Sequence, residues 1–216
     1  MLGDVNVDAI TPFVIVPAVL GAGIFSVVIL LSKRACRNLE TLGAKLGFHV
    51  HTTGRFFKKA RLTGQLRGRR AEIFSYTTGS GKYQQNWVAA EIKIKSAGRL
   101  RFSLKPRMVV FDFVARFFRK NETGVGDVTF DKKWVLTTNQ PDFMRAALLP
   151  EMREKIQRMG KGRASTGHYK LVSDKVSYAE QGSFSSVKVC ARIEEVVEVV
   201  CDLADAVQVG AELRQR

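Results

Sequence analysis

The hydrophobic residues of this chain follow one continuous pattern and two periodic ones. Residues Ile10 to Leu31 form an unbroken run that contains no charged side chain. A helix of that length measures roughly 33 Å, enough to cross a hydrocarbon core of about 30 Å. The run therefore predicts a transmembrane helix over residues 10–32, with the lipid bilayer as its partner.

The charges on either side of this run predict its orientation. Asp4 and Asp8 precede it, whereas Lys33, Arg34 and Arg37 follow it directly. Because cytoplasmic flanks carry the excess of Lys and Arg, we expect residues 1–9 outside the inner (cytoplasmic) membrane and the rest of the chain in the cytoplasm. A cleaved signal peptide would need a basic leader and a shorter apolar stretch. The pattern predicts a single-pass protein.

Alternation with a period of two predicts a mainly antiparallel sheet after the anchor. It is clearest in Asn86–Lys95, where Val88 and Ile92 share one face and Glu91 and Lys93 the other, as in a half-buried strand. Gly79–Lys82 before it predicts a hairpin connection. Shorter segments predict further strands at Arg61–Leu66, Arg70–Thr78, Arg101–Leu104, Trp134–Thr138 and His168–Tyr178, the last with a turn at Ser173 and Asp174.

A helical period of 3.6 residues appears in several places. The last helix is the clearest, because the apolar residues from Val189 to Val207 line one face and Glu194, Glu198 and Asp202 fill the other. We expect that acidic face to be solvated, the alternative being contact with the basic sheet of another copy or a partner. Other predicted helices are 38–47, capped by Asn38, the amphipathic basic Met108–Phe118, Pro141–Leu149 and Glu151–Met159.

These elements predict an α+β fold: an N-terminal transmembrane helix, then a mainly antiparallel sheet packed with helices and a long C-terminal helix. Residues 33–60 form a basic juxtamembrane segment and residues 61–216 the cytoplasmic domain. Strands followed by a closing helix are loosely similar to pleckstrin-homology-like domains. Such an analogy carries no function.

The strongly basic charge balance is compatible with more than one role. The chain has 35 basic and 20 acidic residues, and the excess is densest after the anchor. A basic residue near a leaflet gains about 1 kcal/mol from anionic lipid; the alternative is that these charges only satisfy the positive-inside rule and solubilise the surface. Nucleic acid is disfavoured, because no basic strand carries interleaved aromatic residues. The candidate residues for anionic lipid headgroups are Lys58, Lys59, Arg61, Arg67, Arg69 and Arg70.

The residues that could carry chemistry favour structural roles. Cys190 and Cys201 lie eleven residues apart on one predicted helix, roughly 16 Å, too far for a disulfide; with Cys36 they predict free thiols in a reducing compartment. His49 and His51 would share a strand face, but no third metal ligand has matching spacing. We therefore predict no catalytic residue, no metal and no cofactor.

The segment around residues 68–150 resembles membrane-anchored bacterial domains of uncharacterised function. The resemblance rests on Phe130–Thr137, Pro141–Asp142 and Ala147–Pro150, together with Gly126–Asp127 and Gly68–Arg70. It implies a bacterial single-pass protein and supplies no catalytic residues.

Two functions are compatible with these patterns. The first is a non-catalytic interaction or scaffold module, with a protein partner or self-association; Ala18, Ala22 and Ser26 have the four-residue spacing of small residues that allows close helix pairing. The second is peripheral binding of anionic lipid headgroups. An enzyme would need His49, His51 or His168 beside carboxylates in a pocket.

Overall fold

The computed structural model describes residues 7–53, 59–107, 122–159 and 167–213. Nine strands in these ranges form one sheet, with all neighbouring pairs antiparallel. The strands are β1 (His49–Thr53), β2 (Lys59–Leu66), β3 (Arg69–Thr78), β4 (Gln85–Lys93), β5 (Phe102–Pro106), β6 (Glu122–Thr123), β7 (Trp134–Thr138), β8 (His168–Val172) and β9 (Lys175–Gln181). Their spatial order is β1-β2-β3-β4-β9-β8-β5-β7-β6.

Five α-helices accompany the sheet in the described part of the chain. They are α1 (Val7–Leu46), α2 (Val128–Lys133), α3 (Pro141–Ala147), α4 (Pro150–Met159) and α5 (Val187–Leu213). Helix α5 packs on β4 and β9 and is itself contacted by α1, α3 and α4. The fold is therefore α+β, with a large antiparallel sheet and a long C-terminal helix, as the sequence predicts.

The core lies between α5 and one face of the sheet. Alternate residues of the central strands point into it, including Val88 and Ile92 of β4, both almost fully buried. Val196 and Val200 of α5 face them from the helix side and are inaccessible to solvent. The period-two and period-3.6 patterns therefore meet in one hydrophobic layer. The other face of the sheet has no helix on it among the described elements.

Helix α1 is longer than the sequence patterns indicate. Asn38 does not cap a separate helix, because α1 runs without a break through Leu46. The Asn38 side chain instead donates a hydrogen bond of 2.7 Å to the carbonyl of Phe184. Leu39 and Leu42 of the same helix are buried in the core. The first part of residues 33–60 thus belongs to the packed domain through α1.

One short element departs from the predicted pattern, and one segment confirms it. Gly126–Asp127 leads into α2, a helix that the sequence analysis does not predict. Asp127 caps its N-terminus by accepting hydrogen bonds from the backbone N–H groups of Thr129 and Phe130. The segment His168–Tyr178 is two strands joined by the predicted turn, in which Ser173 has a positive φ. Six helical residues are too few for a readable period, so the capping aspartate is the only local signal for α2.

Some predictions fall outside the described residues. Among these are the helix Met108–Phe118 and the side chains of residues 10–22, which include most of the predicted transmembrane run. Within the part of the chain that is described, no helix meets the length and apolarity needed to cross a membrane.

Candidate functional surface

The hairpin turn between β2 and β3 brings two predicted site residues against α5. Arg67 and Gly68 form the turn with φ values of 49° and 74°, the left-handed conformation that two-residue hairpin turns require. The Arg67 guanidinium donates to Glu198, Asp202 and Asp205, at 2.8, 2.8 and 2.7 Å. One arginine therefore faces three carboxylates of α5.

Arg69 extends this contact along the helix. It donates to Asp205 and, at 3.0 Å, to the side-chain carbonyl of Gln208. Burial alone would raise the pKa of Asp205, but the hydrogen bonds from Arg67 and Arg69 outweigh it and hold that pKa below its usual value. On the far side of α5, Lys155 pairs with Asp202 at 2.7 Å. The acidic face therefore keeps solvent access, with Glu198 60% exposed, but several of its carboxylates also pair with cations of this chain, a contact that the sequence analysis did not predict.

Arg61 and Arg70 pair with a single carboxylate on the uncovered face of the sheet. Glu72 accepts from Arg61 at 3.0 Å and contacts Arg70 at 2.8 Å. The Arg61 guanidinium also lies 5.0 Å from the centre of the Phe74 ring. All four predicted arginines thus have carboxylate partners. Lys58 lies outside the described residues, and of Lys59 only the backbone is described.

A row of aromatic rings crosses the uncovered face. Phe74 and Tyr76 lie 6.0 Å apart, Tyr76 stacks on Trp87 at 6.3 Å, and Trp87 meets the ring of His168 edge-on at 5.7 Å. Partial burial, together with Lys170 and Lys105, lowers the pKa of His168 to about 4. The sequence contained a signal for this row, since Phe74, Tyr76 and Trp87 occupy the face that period-two alternation assigns to polar residues.

His49 and His51 do not form a metal centre among the described residues. Both lie on β1, and the Nε2 atom of His51 is 2.8 Å from the hydroxyl of Thr63. No cluster of three or more His, Cys, Asp or Glu side chains suited to a metal ion occurs in the described ranges. His168 contacts the ring of Trp87 and lies in the field of Lys170 and Lys105.

The most deeply buried charge holds α5 on the sheet. Glu180 of β9 is inaccessible to solvent and accepts two hydrogen bonds from Arg192, at 2.9 and 3.0 Å. Tyr178 donates a third at 3.0 Å. Each oxygen of Glu180 is therefore satisfied within the fold. The sequence patterns did not reveal this pair, because its partners belong to different elements.

Helix α1 leaves the domain at one defined end of the sheet. Leu31 and Ala35 line a cavity of about 490 Å³ together with Tyr76, Asn86 and Gly182. These last three residues lie where β3 ends, β4 begins and β9 ends. We call this the α1 end of the sheet. The opposite end carries the Arg67–Gly68 turn and the Ser173–Asp174 turn.

The comparisons with known proteins leave the family of this chain open and show a shared fold. No family model matches the sequence, and no curated protein matches it. Among solved structures, the crystal structure of the mycobacterial trehalose monomycolate transport factor A, TtfA, is similar, with a TM-score of 0.51 and 12% sequence identity. The similarity covers 83% of this chain and 95% of that one. At this identity the likeness concerns the fold alone.

Proposed function

We propose that this chain is a single-pass membrane protein whose α+β domain is a non-catalytic interaction module on the cytoplasmic side. The observation that carries the proposal is the apolar surface of α1 near the domain, where Phe25 is 58% exposed and Leu30 64%. Exposed apolar area of this size favours transfer out of water. The uncharged run from Ile10 to Leu31 continues along the same helix.

The interior of the domain supports a module that binds rather than reacts. Its most buried charge, Glu180, is fully engaged by Arg192 and Tyr178. Arg67 is likewise fully engaged by the carboxylates of α5. These polar groups pair with one another and connect α5 to the sheet and to the β2–β3 turn.

The structural neighbour suggests a class of process. TtfA is named as a trehalose monomycolate transport factor, and the shared fold makes a role in transport one candidate process for this chain. Headgroup binding by the six predicted basic residues is less favoured, because Arg61, Arg67, Arg69 and Arg70 already contact carboxylates.

The anchor is tested by charge insertion in the full chain. Leu20→Arg/Ile24→Arg should release the protein from membranes during carbonate extraction, since a central arginine costs about 3 kcal/mol of insertion free energy. The matched control is Val187→Arg/Val209→Arg, which places the same charges on exposed valines of α5. Equal extraction of both variants and the wild type would contradict the anchor.

The interaction module is tested by affinity capture of the full-length protein from its native membrane in mild detergent. A stoichiometric protein that co-elutes at both low and high salt supports the proposal and identifies the partner. Recovery of salt-sensitive background or lipid alone contradicts it. Capture of the Leu20→Arg/Ile24→Arg variant shows whether the partner depends on membrane insertion.

A further inference from the structure

We propose that the α1 end of the sheet docks on the anionic headgroups of the bilayer that α1 enters, through lysines absent from the predicted set. This inference rests on the proposed function, because it takes α1 as inserted in the membrane. The lysines are Lys105 at the end of β5, Lys132 and Lys133 at the end of α2, and Lys82 in the turn between β3 and β4.

The register of the sheet places these lysines at one end. Trp87 pairs with Tyr76 on one side and Gln181 on the other, so this row marks the α1 end through β3, β4 and β9. Across β8 and β5 the same end continues to Arg107, whose backbone N–H donates to the carbonyl of Lys133 at 2.7 Å. Lys82 lies in the turn that follows the last residue of β3, Thr78, and so extends past this row at the same end of the sheet.

These lysines are available to a ligand. All four are exposed, and within the described ranges none forms a salt bridge. Lys82 contacts only a neighbouring ring, its ammonium lying 5.2 Å from the centre of Tyr83. Ammonium groups on flexible stems are strongly hydrated point charges suited to a fluid layer of phosphates. Their availability contrasts with that of the predicted arginines, which carboxylates already occupy.

The position of these lysines beside α1 and the aromatic residue among them favour lipid headgroups as their ligand. Helix α1 emerges at this end with its exposed apolar residues Phe25 to Leu31, so the bilayer surface and the lysines lie on the same side of the domain. Tyr83 is 72% exposed at the tip of the turn, and tyrosine is enriched at the depth of lipid headgroups. Each lysine within a Debye length of an anionic leaflet strengthens binding of the domain to that leaflet about fivefold.

The test measures how close each end of the domain lies to the headgroups. The full chain carries a fluorophore on Tyr83→Cys in a Cys36→Ser background, since Cys190 and Cys201 are buried. It is reconstituted in phosphatidylcholine vesicles with or without phosphatidylglycerol, doped with a lipid that bears a quencher on its headgroup. A second label on Lys95→Cys reports the opposite end. We expect strong quenching at position 83 only, and only with phosphatidylglycerol at low salt.

Two triple charge-reversal variants test whether quenching at position 83 depends on the lysines of the α1 end. Lys105→Glu/Lys132→Glu/Lys133→Glu should reduce quenching at position 83 to its level in phosphatidylcholine. The matched control, Lys93→Glu/Lys95→Glu/Arg99→Glu, makes the same change of charge at the opposite end and should leave it unchanged. Equal quenching at both labels, equal effects of both reversals, or quenching without phosphatidylglycerol would overturn the proposal.

A vesicle flotation assay distinguishes failure of the headgroup surface from failure of the membrane anchor. Co-flotation with phosphatidylcholine vesicles reports insertion of α1, so its loss there would refute the proposed function. A chain that floats only with phosphatidylglycerol at low salt would retain the headgroup surface without an anchor. A chain that floats in both but shows no quenching at position 83 would retain the anchor and refute the headgroup surface.

Discussion

The two ends of the sheet hold their cations differently. At the end with the Arg67–Gly68 turn, Arg67 and Arg69 contact carboxylates of α5. At the α1 end, Lys105, Lys132 and Lys133 are exposed and form no salt bridge within the described ranges. Both ends of the sheet carry several basic residues. Lys93, Lys95 and Arg99 at the end with the Arg67–Gly68 turn are also exposed and form no salt bridge within the described ranges, so the position of the α1-end lysines beside the emerging helix distinguishes them. The difference shows that a count of basic residues does not identify a binding surface until the partner of each cation is known.

The two ends also differ in the kind of cation. Guanidinium groups form several directed hydrogen bonds at once, as Arg67 does with three carboxylates of α5. Ammonium groups are less directional and exchange partners readily. The arginines therefore suit a permanent contact inside the fold, and the lysines suit a surface whose phosphates move.

The largest effect that we expect comes from the buried ion pair of α5. Arg192→Met leaves Glu180 inaccessible to solvent without its cationic partner, and breaking such a pair lowers the free energy of unfolding by about 3 kcal/mol. Chemical denaturation of the detergent-solubilised chain measures it. The double variant Glu180→Leu/Arg192→Leu should recover much of the loss. A single variant as stable as the wild type would show that the pair does not hold α5.

A smaller loss is expected at the exposed network. Arg67→Ala removes contacts to three carboxylates, but Arg67, Glu198 and Asp205 are each at least 40% exposed. The free energy of unfolding should therefore fall by only about 1 kcal/mol, and the difference should shrink in high salt. Arg67→Gly is the matched variant, because it also removes the strain of a positive φ. It should be about 1 kcal/mol more stable than the alanine variant. An alanine variant insensitive to salt would argue against an electrostatic contact.

The pH dependence of stability gives a smaller effect at the same site. The pKa of Asp205 is lowered in the fold, so its contribution is fully present above the unfolded value of about 3.9 and is lost as pH falls through the folded pKa. The difference in unfolding free energy between the wild type and Asp205→Asn should therefore narrow below about pH 4. Denaturation midpoints of both proteins, measured in steps from pH 6 to pH 3, check this. A difference that widens in acid would contradict the sign.

The sequence predicts the class of the fold better than the surface it presents. Alternation in Asn86–Lys95 and the apolar stripe of Val189–Val207 correspond to β4 and α5, because burial on one face imposes a period on the sequence. The order of strands does not follow from periodicity, which says nothing about distant pairs such as β5 with β8. For the same reason the contact of Arg67 with Asp202, 135 residues away, was not predicted.

The smallest effect concerns His168, which lies among the rings and lysines near the α1 end. Partial burial and the charges of Lys170 and Lys105 lower its pKa to about 4, so the imidazole is neutral between pH 5.5 and pH 8. Headgroup quenching at position 83 should therefore stay constant over this range, and the NMR signal of His168 should titrate near pH 4. Lys105→Gln should raise that pKa only in part, since burial is the larger cause. The contrary result is a His168 that titrates near its ordinary pKa of about 6.5, with quenching that rises in acid. A protonated histidine would then be part of the headgroup surface, and the lysines alone would not account for the difference between the two ends.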